Sequence, residues 1–236
     1  MRIRVLGVSL LLLTMVAGAY GGESGQDVPP VTVDRSAQHT LESVRVGDTF
    51  VIRVRVPASY AVSKKKYPVL YVLDGDKCFG LAADTAEWLA RAKFQDFLAG
   101  ELFPFIESCY RALPEDRAVA GISLGGLFGA FSLFTHPTLF QRYILIAPAF
   151  VRDNRRLWQY EAEYQARSKV RLATVFTAVG SKDEPAILKP WAEFSRLVEE
   201  RHCGGLQRLT QMYPGESHIS VLPGALSRGI RCIYGK

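Results

Sequence analysis

Residues 119–130 read VAGISLGGLFGA, one serine among four glycines directly after a run of small apolar residues. Glycines in such a stretch either let a helix pack closely beside an incidental serine, or build a turn tight enough to thrust Ser123 out as a nucleophile. The flanks favour the second. Ala118–Gly121 reads as the end of a buried strand and Leu127–Phe134 as a helix, the strand-turn-helix setting that a nucleophile elbow needs. Gly121 and Gly125 leave out Cβ atoms that would crowd a strained serine, and Gly126 allows the helix to start close to the sheet. Ser123 then opens a helix, where the N–H of Leu124 can face an oxyanion.

Outward from this turn, short apolar runs alternate with helix-period stretches. Thr40–Val46 and Thr49–Val56 alternate with period two around Gly47-Asp48, which predicts an antiparallel hairpin. Val69–Leu73 is continuously apolar and stops at Asp74-Gly75-Asp76, as a strand buried on both faces does. Leu81–Tyr110 is helix-like, with Trp88, Leu89 and Ala92 in one piece and Phe94, Phe97, Leu98, Leu102, Phe105 and Ile106 in another; Gly100 and Pro104 mark irregularities. Strands follow at Tyr143–Ile146, Leu172–Val179 and Leu206–Tyr213, and helices at Leu157–Arg167, Pro190–Arg201 and Val221–Ile230. This order predicts an α/β fold with a mostly parallel sheet, helices on both faces and ligands at the strand carboxyl ends.

The 236 residues are 48% hydrophobic and 22% charged, enough for one domain with a sizeable core. Met1–Arg4 carries two arginines, Val5–Val16 is almost wholly apolar, and Ala17-Gly18-Ala19 has the small-x-small pattern of a signal-peptidase site. Residues 1–19 are therefore expected to be a secretory signal rather than a membrane anchor, since the apolar run is short for a span. Secretion or a periplasmic location follows, with no stable membrane insertion after cleavage. Residues 20–32 form a Gly/Pro/polar leader, and 33–236 the folded domain. Without residues 1–19 the formal charge falls from +6 to +4, and the basic runs Lys64–Lys66 and Arg152–Arg156 lack interleaved aromatics, which argues against a nucleic-acid partner. Cys78, Cys109, Cys203 and Cys232 fit no zinc spacing and allow zero, one or two disulfides. No cofactor or metal is implied.

A serine nucleophile needs a base. His39, His136 and His202 read as surface histidines. His218 lies in Pro214-Gly215-Glu216-Ser217-His218, after the last strand, and completes the order Ser, acid, His. The acid belongs in the loop Gly180-Ser181-Lys182-Asp183-Glu184-Pro185, where Asp183 or Glu184 can orient the imidazole.

Five segments carry a resemblance: YPVLYVLDGD (67–76), AVAGISLGGLFG (118–129), FQRYILIAP (140–148), VGSKDEP (179–185) and YPGESHISVLPGALSRGI (213–230). They resemble the putative-esterase family of α/β-hydrolases, which includes enterochelin (siderophore) esterases, feruloyl esterases and the esterase D type. The resemblance implies an α/β-hydrolase fold and a secreted serine esterase acting on a small-molecule ester, with Ser123 as nucleophile, His218 as base and Asp183, ahead of Glu184, as acid. It matches Asp74-Gly75-Asp76 to the other oxyanion donor, the N–H of Asp76. The last motif leans toward siderophore-ester-like substrates. Two departures stand out. Relatives carry another parallel strand and an active-site loop, whereas residues 81–117 hold no strand-like run, so the hairpin is expected to pair directly with Val69–Leu73 and the site to be shallow. Ala149-Phe150-Val151-Arg152 replaces a stretch where relatives often have tryptophans. A non-catalytic, ligand-binding protein of this fold and an acyltransferase using the same three residues are the alternatives. The sequence does not specify an oligomeric state.

Overall fold

The computed structural model describes residues 11–16, 35–72, 94–153, 155–167, 173–200 and 206–235. Eight strands form one sheet: β1 (Leu11–Val16), β2 (Ser36–Ser43), β3 (Asp48–Arg55), β4 (Tyr67–Val72), β5 (Ala112–Ile122), β6 (Arg142–Ile146), β7 (Ala173–Gly180) and β8 (Leu206–Tyr213). Their spatial order is β2-β3-β1-β4-β5-β6-β7-β8. Strands β4 to β8 run parallel to one another, β1 is parallel to β4, and β3 is antiparallel to both β1 and β2.

Alternation along the central strands explains why helices cover both faces. Tyr143 and Leu145 of β6 join Val69, Tyr71, Val119 and Val175 in one core, while Ile144 and Ile146 join Leu70, Ala118, Ala120, Phe176 and Ala178 in the other. Strands buried on both sides must be apolar throughout, which is how these runs read. Among the described residues, the helices of the two layers include α1 (Phe103–Cys109), α2 (Leu124–Thr135), α3 (Arg156–Arg167), α4 (Pro185–Glu200) and α5 (Val221–Tyr234). Helix α2 is buried without a break from Gly125 to Phe134, matching its lack of a polar stripe. Helix α5 covers the opposite face through Val221, Ala225 and Ile233.

The sheet departs from expectation in two places. The hairpin is present, with its turn over Val44–Gly47 and Gly47 at φ 76°, yet it does not pair directly with β4. The segment Leu11–Val16, expected to belong to a removable signal, lies between β3 and β4 as β1. The other difference is at β5, which starts at Ala112, six residues before the expected strand end. Residues 112–117 are thus strand, paired with β4 through a register shift between Tyr67 and Val69. This is an extension of the elbow strand and not an additional one. From Phe94 to Cys109 the described chain is helical, with a five-residue π turn at Leu98–Leu102 closed by the Phe103 N–H on the Leu98 carbonyl. Gly100 lies inside this turn and Pro104 in the first turn of α1. The helix piece containing Trp88, Leu89 and Ala92 lies outside the described residues. Proline 190, expected near a helix start, sits inside α4, which begins at Pro185.

Among the described residues no helix is long and apolar enough to cross a membrane. Cys109 and Cys232 are free thiols, and Cys78 and Cys203 lie outside the described residues. Lys64, Lys65 and Lys66 are exposed, as a solvated run should be.

Candidate active site

Strands β5, β7 and β8 end on the same edge of the parallel sheet, and each hands a chain turn to that edge. At the end of β5, Ser123 adopts φ 57° and ψ −113°, a conformation that L residues other than glycine rarely take. The strain is held by hydrogen bonds on both sides. The Ser123 N–H donates to Ile146 O at 2.9 Å, and its carbonyl accepts from Ala149 N–H at 2.9 Å and Leu127 N–H at 3.0 Å. The serine is therefore clamped between α2 and the turn after β6. Gly121 makes the sharp reversal possible: a Cβ on it would lie 2.3 Å from the Gly125 carbonyl carbon. The Ser123 hydroxyl makes no capping bond to α2. Leu124 is the first helical residue, so its N–H has no intrahelical acceptor.

The other side of the edge is formed by two loops tied together. After β7, Ser181 N–H donates to Tyr213 O at 2.9 Å and Lys182 N–H to Glu216 O at 2.8 Å, while Gly215 N–H donates to Ser181 Oγ at 2.8 Å. These bonds hold the residue 180–183 turn against the residue 213–218 loop. Their closest approach is at Gly180, where a Cβ would come within 2.3 Å of Glu216 O. Across this junction His218 Nδ1 lies 2.9 Å from Asp183 Oδ1. The Asp183 side chain is 1% exposed and that of His218 31%, so the carboxylate is nearly dry and the imidazole reaches solvent on one side. Asp183 Oδ2 is buried with no hydrogen-bond partner among the described residues. Glu184, the alternative acid, is exposed, and its carbonyl accepts from Ile187 and Leu188 at the start of α4.

A buried carboxylate bonded to Nδ1 fixes the imidazole tautomer that keeps Nε2 free to accept a proton. A strained serine at a helix N-terminus on the same sheet edge supplies a hydroxyl beside a developing positive dipole. The chemistry open to this arrangement is acyl transfer. Asp76 lies outside the described residues, as does the remainder of the turn expected to supply the other N–H. His136 is exposed, and His202 lies outside the described residues. His39 departs from the surface reading: it is half-buried, with Nε2 2.6 Å from Tyr110 Oη and its ring edge-on to Phe105. Ser181 was not singled out from the sequence; its value lies in a bond to the backbone of another loop, which composition does not reveal. Among the described residues no group of three or more His, Cys, Asp or Glu comes together to hold a metal.

Solved structures share this fold at low sequence identity. BES protein from Bacillus cereus superimposes with a TM-score of 0.76 at 23% identity, covering 89% of this chain and 99% of its own. The IroE-like serine hydrolase from Shewanella oneidensis gives 0.72 at 22%, covering 83% and 79%. The siderophore hydrolase EstB from Aspergillus nidulans gives 0.68 at 19%, covering 86% and 95%. No curated protein matches the chain. Residues 84–202 match the family model described as "Putative esterase", about half of the sequence including Ser123 and Asp183, and the chain belongs to that family of carboxylic ester hydrolases.

Proposed function

We propose that this protein hydrolyses carboxylic esters through an acyl-enzyme, with Ser123 as nucleophile, His218 as general base and Asp183 as the orienting acid. The observation that carries the reading is the 2.9 Å contact of His218 Nδ1 with the buried Asp183 carboxylate, on the sheet edge that also presents the strained Ser123. Nδ1–H donates to Asp183, and Nε2 accepts the Ser123 proton as Oγ attacks the ester carbonyl. The carbonyl oxygen becomes an oxyanion, stabilised by the N–H of Leu124 and, as the second donor, that of Asp76; such donors contribute about 3 kcal/mol each. Collapse expels the alcohol, which takes the proton from Nε2. Water, deprotonated by the same nitrogen, then releases the acid and restores Ser123.

Incubating the purified chain with a fluorophosphonate and mapping the label tests this directly. Label on Ser123, with turnover of p-nitrophenyl acetate lost in proportion, is the expected result; label elsewhere, or turnover that survives full labelling, overturns it. Two of the similar folds belong to proteins described as siderophore hydrolases, which supports siderophore-type esters as the second panel of substrates. The arginines and apolar run of residues 1–19 support an exported precursor. N-terminal sequencing of the protein recovered from the medium or periplasm of an exporting host checks that route.

A further inference from the structure

The apolar run of the leader has a place in the sheet. In β1, Leu12, Leu13, Thr14, Met15 and Val16 stand opposite Arg55, Val54, Arg53, Ile52 and Val51 of β3, while Leu11 to Thr14 run parallel to Val69–Val72 of β4. Leu12, Leu13 and Thr14 are thus bracketed by paired strands on both sides. The flanking strands are core elements: Ile52, Val54, Val69, Leu70 and Tyr71 are each no more than 1% exposed. Neighbouring strands lie about 4.8 Å apart, so β3 and β4 are held roughly two spacings apart, a gap the width of one strand.

We propose that Leu11–Val16 is a working strand of the folded protein, and that removal of residues 1–19 opens a strand-wide slot in the middle of the sheet. The same six residues cannot occupy a translocation channel or a signal peptidase and also pair with β3 and β4. The unprocessed chain is consequently the stable form. Cleavage after Ala19 leaves facing rows of backbone N–H and C=O groups on β3 and β4 that must find water, re-pair or capture another extended strand. The amide groups exposed in this way belong to strands whose side chains anchor both cores, Ile52, Val54, Val69 and Tyr71 in one and Leu70 in the other, so the loss reaches beyond the ladder itself. Re-pairing β3 directly with β4 is geometrically permitted, since the two are antiparallel, but it requires the whole hairpin to move inward by one strand spacing.

The proposal concerns sheet completion, and its readouts are independent of ester turnover. Thermal unfolding of the full chain is compared with that of a chain starting at Tyr20, with and without a synthetic peptide containing LLLTMV between terminal lysines. The expected results are a midpoint at least about 10 °C lower for the shortened chain, several kcal/mol at this size, and recovery of part of that loss as peptide is added, with a scrambled peptide inactive. Equal midpoints for the two chains overturn the proposal. Should the shortened chain fail to fold, two full-length variants decide. Leu13→Pro removes a ladder donor from the centre of β1 and lowers the midpoint, whereas Leu6→Pro, upstream of residues 11–16 in the sequence, is expected to leave it in place. Equal midpoints for this pair overturn the proposal. A second full-length check joins register partners: Leu13→Cys with Val54→Cys forms a mappable disulfide on mild oxidation, and its failure to form while Leu13→Cys pairs elsewhere overturns the assigned register.

Discussion

Ser123, the proposed nucleophile, stands in a turn whose backbone conformation carries a cost. A φ of 57° with ψ of −113° is a conformation that glycine takes readily and serine only under strain, and such strain amounts to about 1–3 kcal/mol. Ser123→Gly is therefore expected to raise the unfolding midpoint by a few degrees, at about 2–4 °C per kcal/mol for a domain of this size, while abolishing ester turnover. Ser123→Ala, which keeps the strain, is expected to lose turnover by about 10⁶-fold without that gain. Calorimetry and a p-nitrophenyl ester assay on the two variants separate strain from chemistry; a stability gain from alanine equal to that from glycine contradicts the strain argument. The acid position makes its own contrast. Asp183 is buried against His218 and Glu184 is exposed, so Asp183→Asn should lower kcat by about 10⁴-fold through the wrong imidazole tautomer, with Glu184→Gln close to unchanged. A larger loss at Glu184 would move the acid by one residue.

At the scale of elements, the site is a matter of how closely two loops approach. Gly180 ends β7 with no room for a side chain against Glu216 O. Gly180→Ala pushes the histidine loop away from the sheet edge, and misplacement of that order costs about 10²-fold in rate; steady-state kinetics should show the loss in kcat with KM little changed. Elsewhere, burial holds the Tyr234 phenol well above its ordinary value, with the Asp116 charge adding to the effect. Its pKa is raised in the folded state, so its contribution is intact below the unfolded value of about 10 and is lost as pH rises above it, where only the unfolded chain releases the proton. Tyr234→Phe should flatten this alkaline decline in denaturant midpoints between pH 9 and about 11, at little cost near neutrality because the Tyr234 hydroxyl is buried without a partner among the described residues. Much of this was legible in the chain. The runs Tyr143–Ile146 and Leu206–Tyr213 read as strands because apolar or alternating stretches end in turn residues, and the β5–α2 elbow announced itself through its glycines. The first half of β5 did not, because Pro114, Glu115 and Asp116 look like a loop; they lie within the register shift between the pairs Tyr67 with Ala112 and Val69 with Arg117, and only those flanking pairs carry the strand across them. Strand β1 was illegible for a different reason. A leader's apolar core and a buried strand have the same composition and length, and only an open position in a sheet tells them apart. The loops that carry His218 and the acid were legible in the chain, where the family resemblance put Asp183 ahead of Glu184; the burial of Asp183 against His218 and the exposure of Glu184 are tertiary facts that no local pattern carries.

For the whole molecule, two cores share one sheet, and the elbow joins them. Strand β5 contributes Val119 to one core and Ala118 and Ala120 to the other, and α2 follows at once. The burial of α2 from end to end has a consequence for how the protein is obtained. Between Arg117 and Arg142 there are 24 residues and not one charged side chain. In the native state most of this stretch, α2 above all, is enclosed by the sheet, α3 and the turn after β6, with only the turn around His136 and Thr138 at the surface. Released from that enclosure, it is a long neutral, aromatic-rich segment with nothing to keep copies apart, and chains that expose it at the same moment will associate before they refold. Recovery from denaturant should fall steeply as protein concentration rises, with light scattering growing in step. A single lysine at Thr138, which lies after α2 in the turn leading to β6, should raise the yield by breaking the segment while leaving the native unfolding midpoint within a degree or two, about the scale of a neutral surface change.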